Sequence, residues 1–440
     1  MAEARRDLDV LVVGGGAREH ALAWKIRQSP LVRQVFCAPG NAGIAQVADC
    51  VPIEPTAVAA LADFALARRC GLTVVGPEAA LAAGITDEFD RRGLPIFGAT
   101  RAAAEIESSK VFAKEFMRRH GIPTAAHEVA GSAAEARAIL GRRGDRPVVL
   151  KADGLAAGKG VVVAGSRSEA EQAIEAMLVE KRFGAAGERV VIEDRLEGPE
   201  VSFFALSDGE RALPLTTCQD CKRLLDGDRG PNTGGMGGYS PSVLIDAATH
   251  GRIMETVVIP TVRGLLAEGR AYRGILYVGL MLTSSGPRVL EYNARFGDPE
   301  AELIAVRMES DLVPVLQATL AGRLDEARLA WHPGASVCVV LAAAGYPGAP
   351  RTGDPILGCD EASRMEGAHV FHAATREAGG VLVTAGGRVL TVTSLGATYE
   401  ESVRRCYAAA GAIRFPGCQA RTDIARVAVG REKGGPALCG

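Results

Sequence analysis

Aromatic side chains are scarce, only 5% of 440 residues with two Trp. Stacking platforms for single-stranded nucleic acid are therefore unexpected. An excess charge of one sign is lacking as well: 50 Lys and Arg stand against 52 Asp and Glu, a net charge of −2. A general nucleic-acid surface needs a basic excess to meet phosphates, so no such partner is expected. No apolar run approaches the roughly 18 uninterrupted residues that span a bilayer, so no membrane partner is expected either. Met1–Asp7 carries two acids and leads into no apolar stretch with a cleavage site, so no secretory signal is read. Metal-spaced cysteine is missing too. The ten cysteines are scattered, and Cys218 and Cys221 have no second pair at zinc spacing. They read as reduced thiols of a cytoplasmic protein. No Ser–His–Asp set and no H-E-x-x-H is visible, so covalent hydrolysis and zinc proteolysis have no support.

What is present is ordinary globular material, 48% hydrophobic and 23% charged. At roughly 150 residues per domain the length suggests about three domains. Residues 9–13 read as a buried strand, Gly14-Gly15-Gly16 as a turn and 17–27 as a helix. Strands follow at 34–38 and 72–75, with helical text around 56–69 and 80–92. This alternation predicts a doubly wound α/β unit, which carries ligands at its strand carboxyl ends. A helix over 110–119 opens at Ser108 or Ser109. Strands at 148–151 and 161–163 bracket a glycine-rich stretch, followed by a helix at 168–180 and a strand at 189–193. The region 201–217 reads as β and 232–240 as a glycine-rich loop; then come helix 250–268, strands 275–283 and 287–293, and helices 299–308 and 311–321. Past a linker at Trp331–Gly334, strands at 335–344, 369–374, 380–384 and 387–393 and a helix near 399–410 predict a small α+β domain.

Four segments carry candidate chemistry. Gly14–His20 puts a glycine cluster at a helix N-terminus, where free amides and the helix dipole favour an anion. A dinucleotide is disfavoured, because Glu19 replaces the third fingerprint glycine and no acid closes the second strand. A phosphorylated small molecule fits better; a ligand-free tight turn is the plainer alternative. Lys151–Gly160 lacks the G-x-x-x-x-G-K-[ST] pattern and joins two strands, so it is a hairpin loop able to cover triphosphate oxygens, or merely a solvated one. Glu291 and Asn293 share one strand face and offer the few hard oxygens that Mg²⁺ takes, with Arg295 beyond them. A structural Glu291–Arg295 ion pair is the alternative. Finally, Asp220, Lys222 and the run Gly230–Gly238 form a loop whose glycines allow close backbone approach to a ligand, or an ordinary long surface loop.

Together, and in this order, these segments resemble the phosphoribosylamine–glycine ligase (glycinamide ribonucleotide synthetase) family of the ATP-grasp superfamily. The stretches Lys151–Gly160 and Asn232-Thr233-Gly234-Gly235-Met236-Gly237 are the most specific, and the resemblance covers 1–425. It implies an N-terminal doubly wound α/β domain (1–108) for phosphoribosylamine, a central ATP-grasp fold (109–325) with a mobile lid at about 124–194, a small C-terminal α+β domain (332–428) and a flexible tail (429–440). The chain ends near the point where some relatives continue into further purine-pathway domains, so none is expected. The implied reaction joins glycine to 5-phosphoribosylamine at the expense of ATP, with Mg²⁺ or Mn²⁺, in a monomer or weak homodimer.

Carried over by position, Lys110, Lys151, Gly158, Lys159 and Gly160 would meet ATP phosphates. Glu193 and Leu196 would lie near adenine and Glu200 near the ribose. Glu291 and Asn293 would bind the metal. Gly14, Gly16, Glu19, Asn41, Pro77 and Glu78 would face phosphoribosylamine, and Lys222, Asn232, Thr233, Gly234 and Gly235 would line the substrate side. Arg295 and Asp298 would lie at the glycine and acyl-phosphate end, and Asp220, also read as catalytic, would orient a substrate or a second metal. Cys221 stands where the family usually has His. The rivals are another ATP-grasp carboxylate–amine ligase, a nucleotide-binding relative without turnover, and a dinucleotide oxidoreductase.

Overall fold

The computed structural model describes residues 7–155, 160–182 and 184–434. Leu8–Gly14 is an apolar strand buried along almost its whole length, as expected for a parallel strand covered by helices on both faces. It lies at the centre of a five-stranded parallel sheet ordered Asp49–Cys50, Val32–Pro39, Leu8–Gly14, Leu72–Val75, Ile96–Phe97. The helix expected over 80–92 is two helices, Glu78–Ala82 and Ile85–Arg91, split where Gly84 takes a left-handed φ of 85°. The next helices, Arg101–Ser108 and Lys110–Arg119, are set by side-chain caps: Thr100 and Ser109 accept the Ala103 and Phe112 amides.

A four-stranded antiparallel sheet follows, ordered His127–Ala130, Val190–Asp194, Val148–Ala152, Val161–Ala164. Helices Ala133–Arg143 and Arg167–Ile174 cover it. Its core is its own, built from Ile139, Leu140, Leu150, Ile174, Met177 and Ile192. Of the glycine-rich hairpin, Gly158 and Lys159 lie outside the described residues.

The third sheet has eight strands in the order Gly286–Asn293, Arg273–Thr283, Glu200–Asp208, Ala212–Asp220, Gly237–Ser240, Ala335–Ala342, Arg388–Gly396, Ala368–His372. Two expectations change here. The glycine-rich loop over 232–240 is half strand: Gly237–Ser240 is fully buried between Ala212–Asp220 and Ala335–Ala342. Glycine is needed there, since a Cβ at Gly237 would lie 2.4 Å from the Cys338 carbonyl and one at Gly238 2.5 Å from that of Gln219. Through this strand the central and C-terminal parts share one continuous sheet. Residues 429–434, expected to belong to a flexible tail, are ordered against the body of the protein. Helix Arg426–Glu432 crosses that boundary, Arg431 bonds the Val243 carbonyl at 2.6 Å and Lys433 pairs with Glu400 at 2.7 Å.

The N-terminal sheet is latched to the C-terminal part. The Asn41 amide donates to the carbonyls of Gly15 (2.9 Å), His372 (2.7 Å) and Ala373 (3.1 Å). The His372 amide donates to His20 Nδ1 at 2.9 Å. Burial, aided by neighbouring His372, pushes His20 down to about 3, and burial pushes His372 down to about 4. Unfolded histidines titrate near pH 6.5, so below that pH the unfolded chain takes up protons that the folded latch refuses. Stability is therefore complete above about pH 6.5 and falls as pH drops, by up to about 1.4 kcal/mol per pH unit for each histidine. Thermal melts at constant ionic strength between about pH 7.5 and 5 check this; a midpoint that stays flat over the range contradicts it.

Candidate active site

The site is built around the end of one hairpin. Arg273–Thr283 pairs antiparallel with Gly286–Asn293, setting Glu291 opposite Gly279 and Asn293 opposite Tyr277. Alternation places Glu291 and Asn293 on one face, while Tyr292 points into the core and bonds Thr261 at 2.8 Å. Among the described residues Glu291 makes no ion pair or hydrogen bond. Burial would raise its carboxyl, but the charges of Lys222, Lys110, Lys151 and Arg295 outweigh burial and hold it at about 2. An ionised, unpartnered carboxylate ringed by cations beside an amide oxygen suits a hard divalent metal, which needs few protein ligands when phosphate and water supply the rest.

Lys151 reaches this face from strand Val148–Ala152. Its Nζ donates to the Leu290 carbonyl at 2.8 Å and pairs with Glu193 at 2.6 Å. Glu193 also pairs with Lys114, whose Nζ donates to Thr124 Oγ1 at 2.7 Å. All three charged groups are buried. Burial and nearby Lys151 push Lys114 down to about 8, while burial of Glu193 is outweighed by its two lysines and its carboxyl falls. One carboxylate between two ammonium groups leaves a positive charge uncompensated, which suits an anion such as phosphate. The Glu193 side chain is thus a counter-ion to the lysines; half-buried Leu196, beyond it, is the less encumbered of the two residues expected near adenine. Glu200, expected near a ribose, pairs with Lys222. Lys110 starts its helix and donates to the Glu107 carbonyl at 3.2 Å, and Gly160 holds Ala152 across the hairpin at 2.8 Å.

Arg295 does not pair with Glu291. It lies 3.2 Å from Glu78, 3.0 Å from Glu107 and 3.2 Å from the Asn293 side-chain oxygen. Burial of Glu78 is outweighed by Arg295 and Arg18, which hold it at about 2. Pro77 caps the helix that presents Glu78. In the glycine loop, Glu19 folds back so that Gly16 N–H donates to it at 2.6 Å, and Arg18 bonds its other oxygen at 2.6 Å. Its side chain crowds Gly14 and Gly76, where a Cβ would clash. The helix start thus already holds a carboxylate, so Glu19 suits hydroxyl or amine donors better than a phosphate. Asn41, expected on the substrate, spends its amide on the latch and its oxygen on the Gly43 and Ile44 amides, both at 2.9 Å.

The glycine strap expected on the substrate side packs against Asp220 and Arg388. Thr233 Oγ1 donates to the Lys222 carbonyl at 2.8 Å and accepts the Gly235 amide at 3.0 Å. Gly234 N–H donates to Tyr346 Oη at 2.9 Å. Gly235 has a left-handed φ of 111°, and a Cβ there would lie 2.7 Å from Asp220 Oδ1. Asp220 is pushed well above its ordinary range by burial and by Glu300, despite Lys222. Asp298 meets Arg388 at 3.1 Å and accepts the Arg18 amide at 3.4 Å. Asn232 ends an exposed two-stranded hairpin, apart from these buried contacts.

Lys114 and Glu107 escape the sequence reading, and Glu300 and Arg388 enter it only as parts of motif stretches, with no role of their own. Lys114 had a usable signal, since it follows Lys110 by one helical turn. Glu107 accepts the Ala294 amide at 2.7 Å, and Glu300 accepts Ser202 Oγ at 3.0 Å; neither contact has a local signature.

Residues 8–107 match the N domain of phosphoribosylglycinamide synthetase, residues 108–301 its ATP-grasp (A) domain and residues 336–427 its C domain. A phosphoribosylamine–glycine ligase of Pseudomonas aeruginosa is 51% identical over 430 residues, covering 97% of this chain and 100% of its own. A crystal structure of phosphoribosylamine–glycine ligase from Thermotoga maritima superposes with a TM-score of 0.82 at 36% identity, covering 95% of this chain and 100% of its own. The biotin carboxylase domain of a Hydrogenobacter thermophilus 2-oxoglutarate carboxylase shares the fold, with a TM-score of 0.70 at 18% identity over 94% of this chain and 92% of that one. The chain therefore belongs to the phosphoribosylglycinamide synthetase family, with its N-terminal, ATP-grasp and C-terminal domains.

Proposed function

We propose that the chain joins glycine to 5-phosphoribosylamine, converting ATP to ADP and phosphate and releasing glycinamide ribonucleotide, a step of de novo purine biosynthesis. Full-length similarity to relatives of that activity supports the reading. The observation that carries it is the paired geometry of Lys151, Glu193 and Lys114 against Glu291 and Asn293. The lysines assigned to phosphate and the oxygens assigned to a metal lie near enough for Lys110 and Lys151 to act on the Glu291 carboxylate.

Phosphoryl transfer asks a protein for position and charge more than for a nucleophile. The glycine carboxylate takes the γ-phosphoryl group, forming glycyl phosphate and ADP. The amine of phosphoribosylamine then attacks the acyl carbon and phosphate leaves. Lys110, Lys151 and Lys159 are assigned to the phosphates, and Arg295 and Asp298 to the glycine end. Glu291 and Asn293 would hold Mg²⁺, or Mn²⁺ in its place; when bound, the metal supplies charge neutralisation at the phosphates. An acyl phosphate hydrolyses easily, so the strap and the four-stranded lid have water to exclude. Glu19 and Glu78 are assigned to the sugar and amine side. A cytoplasmic enzyme acting as a monomer or weak homodimer fits this role.

ADP release, measured with Mg²⁺, ATP, glycine and freshly generated phosphoribosylamine, should require all of them. Equal ADP formation without glycine and phosphoribosylamine would sink the ligase reading. Glu291→Ala should lower turnover at least tenfold, about 1.4 kcal/mol of barrier, and unchanged turnover would reject its metal role. Glu193→Gln strands two buried ammonium groups without a counter-charge, at an expected cost of about 3 kcal/mol. A lower urea midpoint with an unchanged slope would show this; an unmoved midpoint would mean that the triad is not buried as described.

A further inference from the structure

Glu302 is fully buried on the helix Glu300–Arg307, one turn behind the Asp298–Pro299 bend. Neither of its carboxylate oxygens has a hydrogen-bond partner among the described residues. A carboxylate in that position would be a desolvated charge with nothing to satisfy it, which a protein avoids by keeping the proton. The helix packs on Ala17–Arg27, Ala212–Asp220 with the buried Asp220 carboxyl, Gly237–Ser240, Ala335–Ala342 and Arg388–Gly396. The groups that bear most on Glu302 are Asp298 in the bend, Arg388 on strand Arg388–Gly396 and Glu300 on its own helix, with the Cys338 thiol alongside on Ala335–Ala342. Burial and the Asp298 carboxylate both push its carboxyl well up.

Its neighbours form a clasp. Arg388 Nη1 donates to the carbonyls of Gly234 (2.6 Å) and Asp298 (2.7 Å) and meets the Asp298 carboxylate at 3.1 Å. That single guanidinium joins the C-terminal strand, the glycine strap and the bend assigned to the glycine end. We propose that Glu302 is a positioning residue whose neutral acid form leaves the Arg388–Asp298–Gly234 clasp intact, and whose ionisation opens it. An ionised Glu302 would place a second carboxylate beside Asp298 and compete for the one guanidinium. The link to catalysis rests on the ligase reading; the clasp itself does not.

The test uses Glu302→Gln and Glu302→Met, both neutral and similar in size; Met also removes the unsatisfied polar atoms. A buried acid whose folded form holds its proton loses stability as pH rises above the unfolded value of about 4.3, so the melting midpoint of each variant should gain on the parent between about pH 5 and 8. Amide exchange across 233–238, compared between variant and parent at each pH, should show the parent losing protection faster as pH rises. The variant-to-parent ratio of ADP-forming turnover should rise about threefold or more as pH is raised through the alkaline range, following the parent's ionised fraction. Midpoint differences independent of pH in whichever variant folds would overturn the neutral acid. Diverging midpoints with identical exchange of 233–238 would overturn the clasp. Should neither parent nor variants turn over, the ligase reading fails, while melts and exchange still decide the role of Glu302.

Discussion

A buried guanidinium must find carboxylates, and Arg295 finds them on separate parts of the chain. Glu78 comes from a short helix of the N-terminal domain and Glu107 from the helix leading into the central domain, while the neutral Asn293 amide oxygen adds a third acceptor from the same hairpin. Removing one partner of such a buried pair typically costs about 3–5 kcal/mol, because the remaining charge is left desolvated. The end of the Gly286–Asn293 strand is therefore held where the domains meet, and Glu291, Asn293 and the bend to Asp298 are held with it. Glu107 tightens the arrangement by also taking the Ala294 amide. The position of the metal face thus follows from where one arginine can be neutralised.

The same reasoning organises the cation side. Lys151 and Lys114 share Glu193, and Lys222 holds Glu200, so most cations of the cleft arrive with a carboxylate attached. This explains how a chain of net charge −2 presents an anion site without a basic patch. The field comes from imbalance inside small buried groups, one carboxylate for two lysines, where weak solvent screening makes each charge count for more.

Much of this was legible in the sequence, and the failures have physical causes. Leu8–Gly14, Ala17–Arg27, Leu72–Val75 and Lys110–Arg119 follow from apolar runs, glycine turns and a serine cap, all local signals. Strand Gly237–Ser240 was hidden because glycine reads as loop, although it was required there by backbone approach on both sides. Its misreading also concealed the continuity of the eight-stranded sheet, since that strand is the link between the central and C-terminal parts. At the site, the motif residues could be named from the sequence but their partners could not. Asn41 is a latch and Glu19 a backbone cap, roles set by contacts with segments distant in sequence or by a fold-back that no motif records. The contact made by Arg388 is invisible for the same reason, since it lies 90 residues from the Asp298 that it holds.

The division of the core decides what can move. The eight-stranded sheet runs unbroken under the metal face, so Glu291 and Asn293 sit on a platform shared with the C-terminal part. The four-stranded lid has a separate hydrophobic cluster and so can shift as a unit without exposing the larger cores. Two of its ties to the platform are polar and lie on the hairpin itself: Lys151 to the Leu290 carbonyl and Arg288 to the Thr124 carbonyl. One of these ties is the lysine assigned to the phosphates. Under the proposed phosphate role of Lys151, the residue that meets the nucleotide is also one that ties the four-stranded sheet to the Gly286–Asn293 strand. The four-stranded sheet is thus tied to the Gly286–Asn293 strand at two places, through the Lys151 ammonium group and through the Thr124–Val289 pairing at the edge of that strand.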